Sequence, residues 1–264
     1  MRSNILICPV CRQVLNPIGS SYVCDQGHCF DIARKGYVNL LLKGGEHGDD
    51  RSMLTARRDF LSAGYYLPFA QELCRAVSKH RHNTILDMGC GEGYYSSQMA
   101  ELQDARVYAF DISKYAAAMT ASRNKRLTVF TASSFSIPVA DESIDVAVSV
   151  FAPFDAKEVG RILNKNGILV VAYPLKDHLL ELKQAVYDEV LLNPDIVPSA
   201  EGLVLDEVTN VNYTVKINNN NHVKALFSMT PYVYRTHKEH TERLDKLESL
   251  NCSVEIGVAV YKKI

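Results

Sequence analysis

The sequence predicts an α/β fold in which a doubly wound, mostly parallel sheet carries a ligand site, and three observations support this prediction. First, an apolar run, Ile85 and Leu86, ends in an acidic residue, Asp87. Second, three glycines follow at alternate positions and lead into a helical run, namely Gly89, Gly91 and Gly93. Third, another strand, 106–110, ends about twenty residues further on in a second acid, Asp111. A strand, a tight turn and a helix followed by a second strand with a terminal acid are typical of a nucleoside-binding sheet.

These residues indicate a ligand with an adenosine group that lies across the carboxyl edge of the sheet. Glycine lets a ligand approach the main chain, and Asp111 can accept hydrogen bonds from both ribose hydroxyls. Tyr94 stands where the dinucleotide fingerprint has its third glycine, and no P-loop lysine follows, so nothing here neutralises a phosphate. Asp87 ahead of the glycines favours a cationic ligand without phosphate. The alternative is that the glycines only form a tight turn, but a plain turn requires neither acid.

The pattern D-x-G-C-G-E-G, with a ribose-binding acid after the next strand, resembles the class I S-adenosylmethionine methyltransferases. The resemblance implies a Rossmann-like, mostly parallel sheet of seven strands and S-adenosylmethionine as the cofactor. The residues expected to contact that cofactor around the loop are Asp87, Gly89, Gly91, Glu92, Gly93 and Asp111.

The length and composition of the chain limit what type of protein it can be. The chain has 264 residues, which is room for one large domain, or for a medium domain with a small appendage. Hydrophobic residues make up 47% and charged residues 22%, a normal globular balance. The net charge of -1 gives no sign of a nucleic-acid partner, which would need a local basic patch. Residues 1–10 lack the apolar core of a signal peptide and no apolar run reaches the length of a membrane span, so we expect a soluble, cytoplasmic protein.

Four of the seven cysteines fall within the first 29 residues, and their spacing predicts a zinc site. Cys8-x-x-Cys11 and Cys24-x-x-x-His28 have the spacing of two zinc knuckles that face each other across a short hairpin. A segment this small cannot bury enough apolar surface to fold alone, and the metal would replace a core. Cys29 is an alternative fourth ligand beside His28. The other alternative is a set of reduced, partly buried cysteines without metal.

Charge and glycine content predict that the chain is divided into two domains joined by a linker. Residues 1–43 form the zinc-binding unit, 44–50 a glycine-rich linker, and 51–264 the methyltransferase domain. Up to residue 43 five basic residues, including Arg34 and Lys35, face two acidic ones, a net charge of +3. This asymmetry suits an appendage that contacts RNA, although a solvated basic face is the simpler alternative.

The remaining elements follow from apolar periodicity and turn residues. Helices are predicted over 52–63, 65–78, 94–102, 113–123 and 156–163, and strands over 127–131, 144–151 and 168–172, with a turn at 164–167. The last third departs from this alternation, with a helix over 176–192, strands over 207–217 and 253–262, and a turn and helix cap at 218–221. The last two strands fit the antiparallel pair that closes a methyltransferase sheet.

Together the motifs are similar to those of the bacterial 23S ribosomal RNA (guanine-N1)-methyltransferases, which include enzymes linked to macrolide resistance. The motifs that carry this resemblance are CPVC, YVC, GHCFDIARKGYVNLL, RR-FL-AGYY-P, DMGCGEGYY, AFDISK, FAP, HLLELK and LFSMTP. They span nearly the whole chain and are far more specific than the glycine loop alone. The resemblance implies 23S ribosomal RNA as the substrate and a homodimer whose two zinc units flank an RNA cleft.

The same resemblance implies functional residues that the sequence patterns do not single out. It implies cofactor contacts at Tyr66, in the loop Gly91, Glu92 and Gly93, at Asp111 and near His178, and zinc ligation by Cys8, Cys11, Cys24 and His28. Many class I enzymes carry an acid after the third strand that accepts from the adenine amino group. Ser133 occupies that place here, and we expect adenine to be held by main chain, Ser133 and apolar stacking.

The implied reaction is an in-line displacement in which guanine N1 attacks the sulfonium methyl group, and catalysis would rest mainly on positioning and desolvation. Guanine N1 carries a proton at neutral pH, so a base or a stabilising environment is required, and the sequence identifies no catalytic residue for it. The target base must also be splayed out of structured RNA. Two alternatives stay open at this point. One is a methyltransferase that acts on a metabolite or a protein, and the other is a zinc-bearing RNA-binding adaptor without activity.

Overall fold

A computed structural model describes residues 4–42, 48–80, 83–103, 105–234 and 236–264, and a large sheet runs through it. The strands of the described chain are β1 (Asn16–Ile18), β2 (Ser21–Val23), β3 (Cys29–Asp31), β4 (Tyr37–Asn39), β5 (Thr84–Met88), β6 (Arg106–Asp111), β7 (Thr128–Thr131), β8 (Ile144–Val150), β9 (Leu163–Pro174), β10 (Val204–Ile217) and β11 (Leu250–Lys262). The α-helices are α1 (Arg51–Ser62), α2 (Leu67–Ser78), α3 (Tyr94–Met99), α4 (Lys114–Arg123), α5 (Ala156–Ile162), α6 (Leu180–Val186), α7 (Asn220–Ser228) and α8 (Lys238–Thr241). Short 3-10 helices occupy Pro231–Tyr234 and Glu242–Lys246.

The large sheet has the order β10-β11-β9-β8-β5-β6-β7-β4. Its strands are parallel from β9 to β4, and β11 and β10 add antiparallel to β9. The predicted doubly wound, mostly parallel fold is therefore confirmed, as is the antiparallel pair that closes it. The strand order reverses between β5 and β8, and ligands bind outside the carboxyl ends of the strands at such a switch point.

The sheet has eight strands rather than the seven expected, because the N-terminal segment supplies one. Strand β4 pairs in parallel with β7, with Val38 opposite Phe130. Strands β1, β2 and β3 form a separate small antiparallel sheet beside it. Three residues are too short a run for periodicity to reveal, and strand β4 pairs with residues about ninety positions later in the chain.

Both faces of the central parallel strands are buried, and alternate side chains of each strand point to opposite faces. Helices α1, α2 and α7 cover one face, where Ile85 belongs to the core. The N-terminal segment and α5 cover the other face, where Leu6 and Leu15 pack in one cluster with Leu86 and Phe130. The N-terminal unit therefore shares its apolar core with the large sheet. Of the predicted linker, only 48–50 lies within the described residues.

Local signals account for several helix ends. The carboxylate of Asp50 accepts hydrogen bonds from the N–H groups of Ser52 and Met53 and caps α1. Gly64, with φ of 84°, follows α1 and separates it from α2. Asn219 caps α7 through its side chain, as the asparagine run predicted.

Two predicted elements differ from the structure. The helix predicted over 176–192 is only Leu180–Val186, because Leu179 before it has a left-handed backbone and the chain is extended after it. The turn predicted over 164–167 lies inside the long strand β9, where the pairing with β8 shifts register and Asn166 has φ of 64°. No helix in the described part of the chain combines the length and apolar character needed to cross a membrane.

Candidate active site and metal cluster

A cavity of about 1090 Å³ opens at the carboxyl ends of the central parallel strands, on both sides of the switch point. Of the nine residues predicted to bind the cofactor, eight line it: Tyr66, Asp87, Gly89, Gly91, Glu92, Asp111, Ser133 and His178. The ninth, Gly93, does not. The volume exceeds the upper end of the usual range for a small-molecule site, roughly 300–1,000 Å³. It can hold an adenosine cofactor and part of a second ligand.

The glycine loop is tied to β6 and leaves the cavity open. The N–H groups of Gly89 and Cys90 both donate to the carbonyl of Phe110, at 2.9 Å. Gly89 and Gly91 have φ of 72° and 55°, a left-handed backbone that disfavours other residues. A Cβ on Gly93 would lie 2.9 Å from atoms of Thr120, so this glycine lets α3 approach α4. Its contribution is to packing behind the loop.

Asp111 is positioned by the loop that it faces. Its two carboxylate oxygens accept hydrogen bonds from the N–H groups of Gly91, at 3.0 Å, and Ser113, at 2.8 Å. Burial raises the pKa of Asp111 above the usual value, whereas these two N–H donors lower it. Each oxygen retains a lone pair, so the carboxylate can also accept from the two hydroxyls of a ribose.

Asp87 lies deeper in the site and is 2% exposed. The hydroxyl of Ser96 donates to its carboxylate at 2.5 Å. Burial raises its pKa to about 7, Ser96 opposes the rise, and the negative charge of Asp111 adds to it. Without a ligand this carboxyl therefore titrates near neutral pH. A cation bound in the cavity would stabilise its charged form.

Tyr66 and His178 form a buried pair on the wall of the cavity. The N–H of Glu255 donates to His178 Nδ1 at 3.1 Å, which leaves the ring proton of the neutral imidazole on Nε2. His178 Nε2 lies 3.4 Å from the Tyr66 hydroxyl and can donate to it. Burial, followed by the charge of Lys183, lowers the pKa of His178 to about 3 and keeps it neutral. The Tyr66 hydroxyl keeps its own proton for a further acceptor.

Glu92 and Ser133 both line the cavity, but their side chains have different partners. The Glu92 carboxylate is 1% exposed and forms an ion pair with Arg123 at 2.5 Å. The Glu92 side chain is therefore occupied by its ion pair with α4. At this position only the main chain of the loop is available to contact a ligand. The Ser133 hydroxyl accepts a hydrogen bond from the N–H of Phe135 at 3.2 Å and lies at the end of β7, beside the Asp111 strand.

Arg57 lines the cavity without having been predicted to do so. Its guanidinium forms an ion pair with Asp49 and donates to the carbonyl of Met229 at 3.0 Å. Gly48 and Asp49, assigned to the linker by the sequence, also line the cavity. An arginine on an amphipathic helix gives no signal of this kind in a sequence, since most such residues lie on a solvated face.

Four predicted ligands gather into one cluster in the N-terminal unit. The ligand atoms of Cys8, Cys11, Cys24 and His28 all lie within 4.8 Å of one another. His28 Nδ1 is 3.5 Å from the Cys8 sulfur and 3.4 Å from the Cys24 sulfur. Tetrahedral zinc with thiolate and imidazole ligands places such atoms about 3.5–3.8 Å apart, so the donor set and the spacing both fit zinc. Cys29 is exposed and lies outside the cluster.

Comparison with known families assigns the two parts of the chain. A zinc-ribbon model described as "RlmA, N-terminal" matches residues 6–42, and a model described as "Methyltransferase domain" matches 86–171. The 23S rRNA (guanine(748)-N(1))-methyltransferase of Streptomyces fradiae is 34% identical over 196 residues, 70% of each chain. A putative 23S rRNA (guanine-N(1)-)-methyltransferase of Micromonospora griseorubida is 34% identical over 227 residues, 77% of this chain and 75% of the relative.

Solved structures support the fold of the larger part. A SAM-dependent methyltransferase from Aquifex aeolicus superposes with a TM-score of 0.52 at 13% identity, and covers 82% of this chain and 100% of its own. At this level of identity the similarity concerns the fold alone.

Proposed function

Because this chain belongs to the family of 23S rRNA (guanine-N1)-methyltransferases, we propose that it transfers a methyl group from S-adenosylmethionine to N1 of a guanine in 23S ribosomal RNA. The observation that carries this proposal is the presence on one chain of the zinc ribbon and of a cavity with two buried carboxylates beside a glycine loop.

The residues around the cavity divide the work of holding the cofactor. Asp111 would accept from the ribose hydroxyls, while Gly89 and Gly91 admit the ligand to the main chain. Asp87, charged when a cation lies beside it, would attract the positively charged end. The Tyr66 hydroxyl, held by His178, would donate to an acceptor atom there. Gly89 also has a packing role, because a Cβ on Gly89 would lie 2.6 Å from that of Ala152.

When bound, S-adenosylmethionine supplies an activated methyl group on its sulfonium. The protein then has to bring guanine N1 in line with that methyl group and to exclude water. The buried residues at the ends of β5 and β8 would exclude water. The zinc ribbon, with its excess of positive charge, would contribute phosphate contacts, which set affinity and register on RNA.

The decisive experiment is mass mapping of 23S ribosomal RNA from cells with and without the gene. We expect one guanine to lose its N1-methyl group in the deletion strain and to regain it when the gene is restored. A gene that encodes the Asp111→Ala variant should fail to restore the methyl group. That result would show that the modification depends on this cavity.

A second arm uses the purified protein, with 23S ribosomal RNA and a panel of small metabolites as competing acceptors. Methylation of a metabolite and not of the RNA would contradict the proposal. We also propose a homodimer that acts in the cytoplasm, where ribosomal RNA is found. Sedimentation of the purified protein tests the dimer and fractionation of cells tests the location.

A further inference from the structure

The cavity is slightly larger than the usual range for a small-molecule site, and it extends on both sides of the switch point of the sheet. On one side of the switch point, Asp111 and Ser133 at the ends of β6 and β7 suit the adenosine group. On the other side, the wall consists of residues at the ends of β8 and β9, among them Phe151 and Tyr173. The adenosine contacts proposed above leave this second half free for the acceptor.

Phe151 combines two unusual features in that second half. It directly follows β8 and has φ of 53°, a left-handed backbone that is a true outlier for a bulky side chain. Such a conformation is strained and persists only where the surroundings impose it. Phe151 is also 44% exposed, although its ring lines the cavity. The exposed part of this ring is not explained by packing.

The neighbours of Phe151 hold its backbone in place. Its N–H donates to the carbonyl of Ala172 at 3.0 Å, which ties it to β9. The hydroxyl of Ser149 donates to the carbonyl of Ala152 at 2.8 Å, which fixes the next peptide. Gly89 of the cofactor loop faces Ala152 closely. The turn that carries Phe151 is therefore clamped between the cofactor loop and strand β9.

The ring of Phe151 is also fixed. It stacks on the imidazole of His178, with centroids 5.8 Å apart and planes 26° apart, and it packs at 45° against Phe69. Since His178 is neutral, this is a contact between two uncharged rings. Packing of this kind orients the Phe151 ring while nearly half of it stays accessible from the cavity.

We propose that Phe151 is the stacking platform for the target guanine, and that it holds the flipped base in the half of the cavity next to the methyl donor. This inference rests on the proposed function. A guanine taken out of its helix loses stacking on both faces, and an aromatic ring in the pocket restores it, worth about 1–3 kcal/mol per base. A fixed ring also sets the plane of the base, and thereby the line along which N1 approaches the methyl group.

Other exposed aromatic residues of the cavity are less suited to this part. Phe135 is 66% exposed and belongs to the Ser133 loop, on the adenosine side of the switch point. Tyr234 is 67% exposed and its hydroxyl donates to the sulfur of Met53. Neither has the strained backbone that Phe151 has.

The test compares the full-length protein with Phe151→Leu, which keeps an apolar side chain but removes the aromatic face, and with Phe151→Tyr, which keeps that face. Tyr115→Leu is the matched control, since Tyr115 is a 60% exposed aromatic residue of α4 that does not line the cavity. The assay measures kcat and KM for a 23S rRNA transcript at saturating S-adenosylmethionine. Calorimetry measures the Kd of S-adenosylmethionine for each protein.

We expect Phe151→Leu to lower kcat/KM for the RNA by about 10- to 100-fold, as loss of one stacking contact implies. The Kd for S-adenosylmethionine should change by less than about 2-fold in all three variants, and Phe151→Tyr should retain most of the activity. Two results would overturn the inference: unchanged kcat/KM in Phe151→Leu, or loss of cofactor affinity in parallel with activity, which would assign Phe151 to supporting His178. A parent protein that does not methylate the transcript at all would refute the proposed function as well.

Discussion

Asp87 makes the stability of the cofactor-free protein depend on pH in a way that can be measured. Its carboxyl is buried beside the glycine loop and its pKa is about 7, against an ordinary value of 3.8. A carboxyl with a raised pKa contributes stability that is fully present below pH 3.8, is lost as the pH rises, and is gone above about 7. In the Asp87→Asn variant the side chain has a similar shape but is neutral at every pH. This variant should therefore not lose stability in this way as the pH rises.

The size of the effect follows from the two pKa values. Between pH 5 and pH 8 the parent protein should lose roughly 2–3 kcal/mol of unfolding free energy relative to Asp87→Asn, because each pKa unit corresponds to about 1.4 kcal/mol. Other titrating groups, including the metal ligands, are common to both proteins and cancel in the difference. The positive charge of S-adenosylmethionine should reverse the preference, so its affinity for the parent should rise with pH up to about 7.

Urea unfolding of the cofactor-free proteins at four pH values from 5 to 8 measures this difference. Ser96→Ala serves as the internal control. Its hydroxyl stabilises the charged Asp87, so removing it should raise the pKa of Asp87 in the folded protein further and extend the loss of stability to higher pH. Parallel pH profiles for the parent and Asp87→Asn would refute the reasoning, because they would mean that the carboxyl is already ionised in the folded protein at pH 5, as it is in the unfolded chain.

Four other changes test the rest of the site. We expect metal analysis of the parent to give one zinc per chain, and Cys8→Ser should abolish that zinc and lower the Tm of the whole protein in a single transition; a separate early transition would contradict the shared core. Asp111→Ala should weaken S-adenosylmethionine binding, measured by calorimetry, by about 1.5–3 kcal/mol, and unchanged affinity would place the ribose elsewhere. Gly93→Ala should cost about 1–3 kcal/mol in urea unfolding, because its Cβ would meet Thr120 and its φ of 84° disfavours a side chain, and unchanged stability would contradict both constraints. Deletion of 1–43 should give an aggregating protein by size-exclusion chromatography, whereas a monodisperse, cofactor-binding product would show that the rest folds alone.

The sequence predicts best those features whose residues are close together in the chain. Asp87 and the glycine loop lie within seven residues of one another, and the four metal ligands lie within 21 residues. Their spacing in the sequence is therefore sufficient to predict a cofactor loop and a zinc site. Asp111 is further away, but the alternation of strands and helices places it at the neighbouring strand end. The predicted elements of the central sheet therefore agree with the structure to within a few residues.

Features that depend on contacts between distant segments could not be predicted in the same way. Tyr66 and His178 are 112 positions apart, and only the family resemblance pointed to them. Arg57 reaches the cavity because α1 crosses near the loop at Met229, and nothing local in the sequence signals that crossing. The left-handed backbone of Phe151 is imposed by its surroundings and conflicts with its own preference.

The N-terminal unit links the metal cluster to the cofactor site through the edge of the sheet. Without β4, strand β7 would be an exposed edge with unpaired main-chain groups. The chain next to Cys8 pairs with the segment that follows the Ser133 loop: the N–H of Ile7 donates to the carbonyl of Pro138 at 3.0 Å. The segment that carries the metal ligands therefore covers β7 and is hydrogen-bonded to the chain that follows the Ser133 loop. The metal cluster and the strands beneath the cofactor site belong to one apolar core, in which Cys8 and Cys24 pack in the same cluster as Leu86 and Phe110.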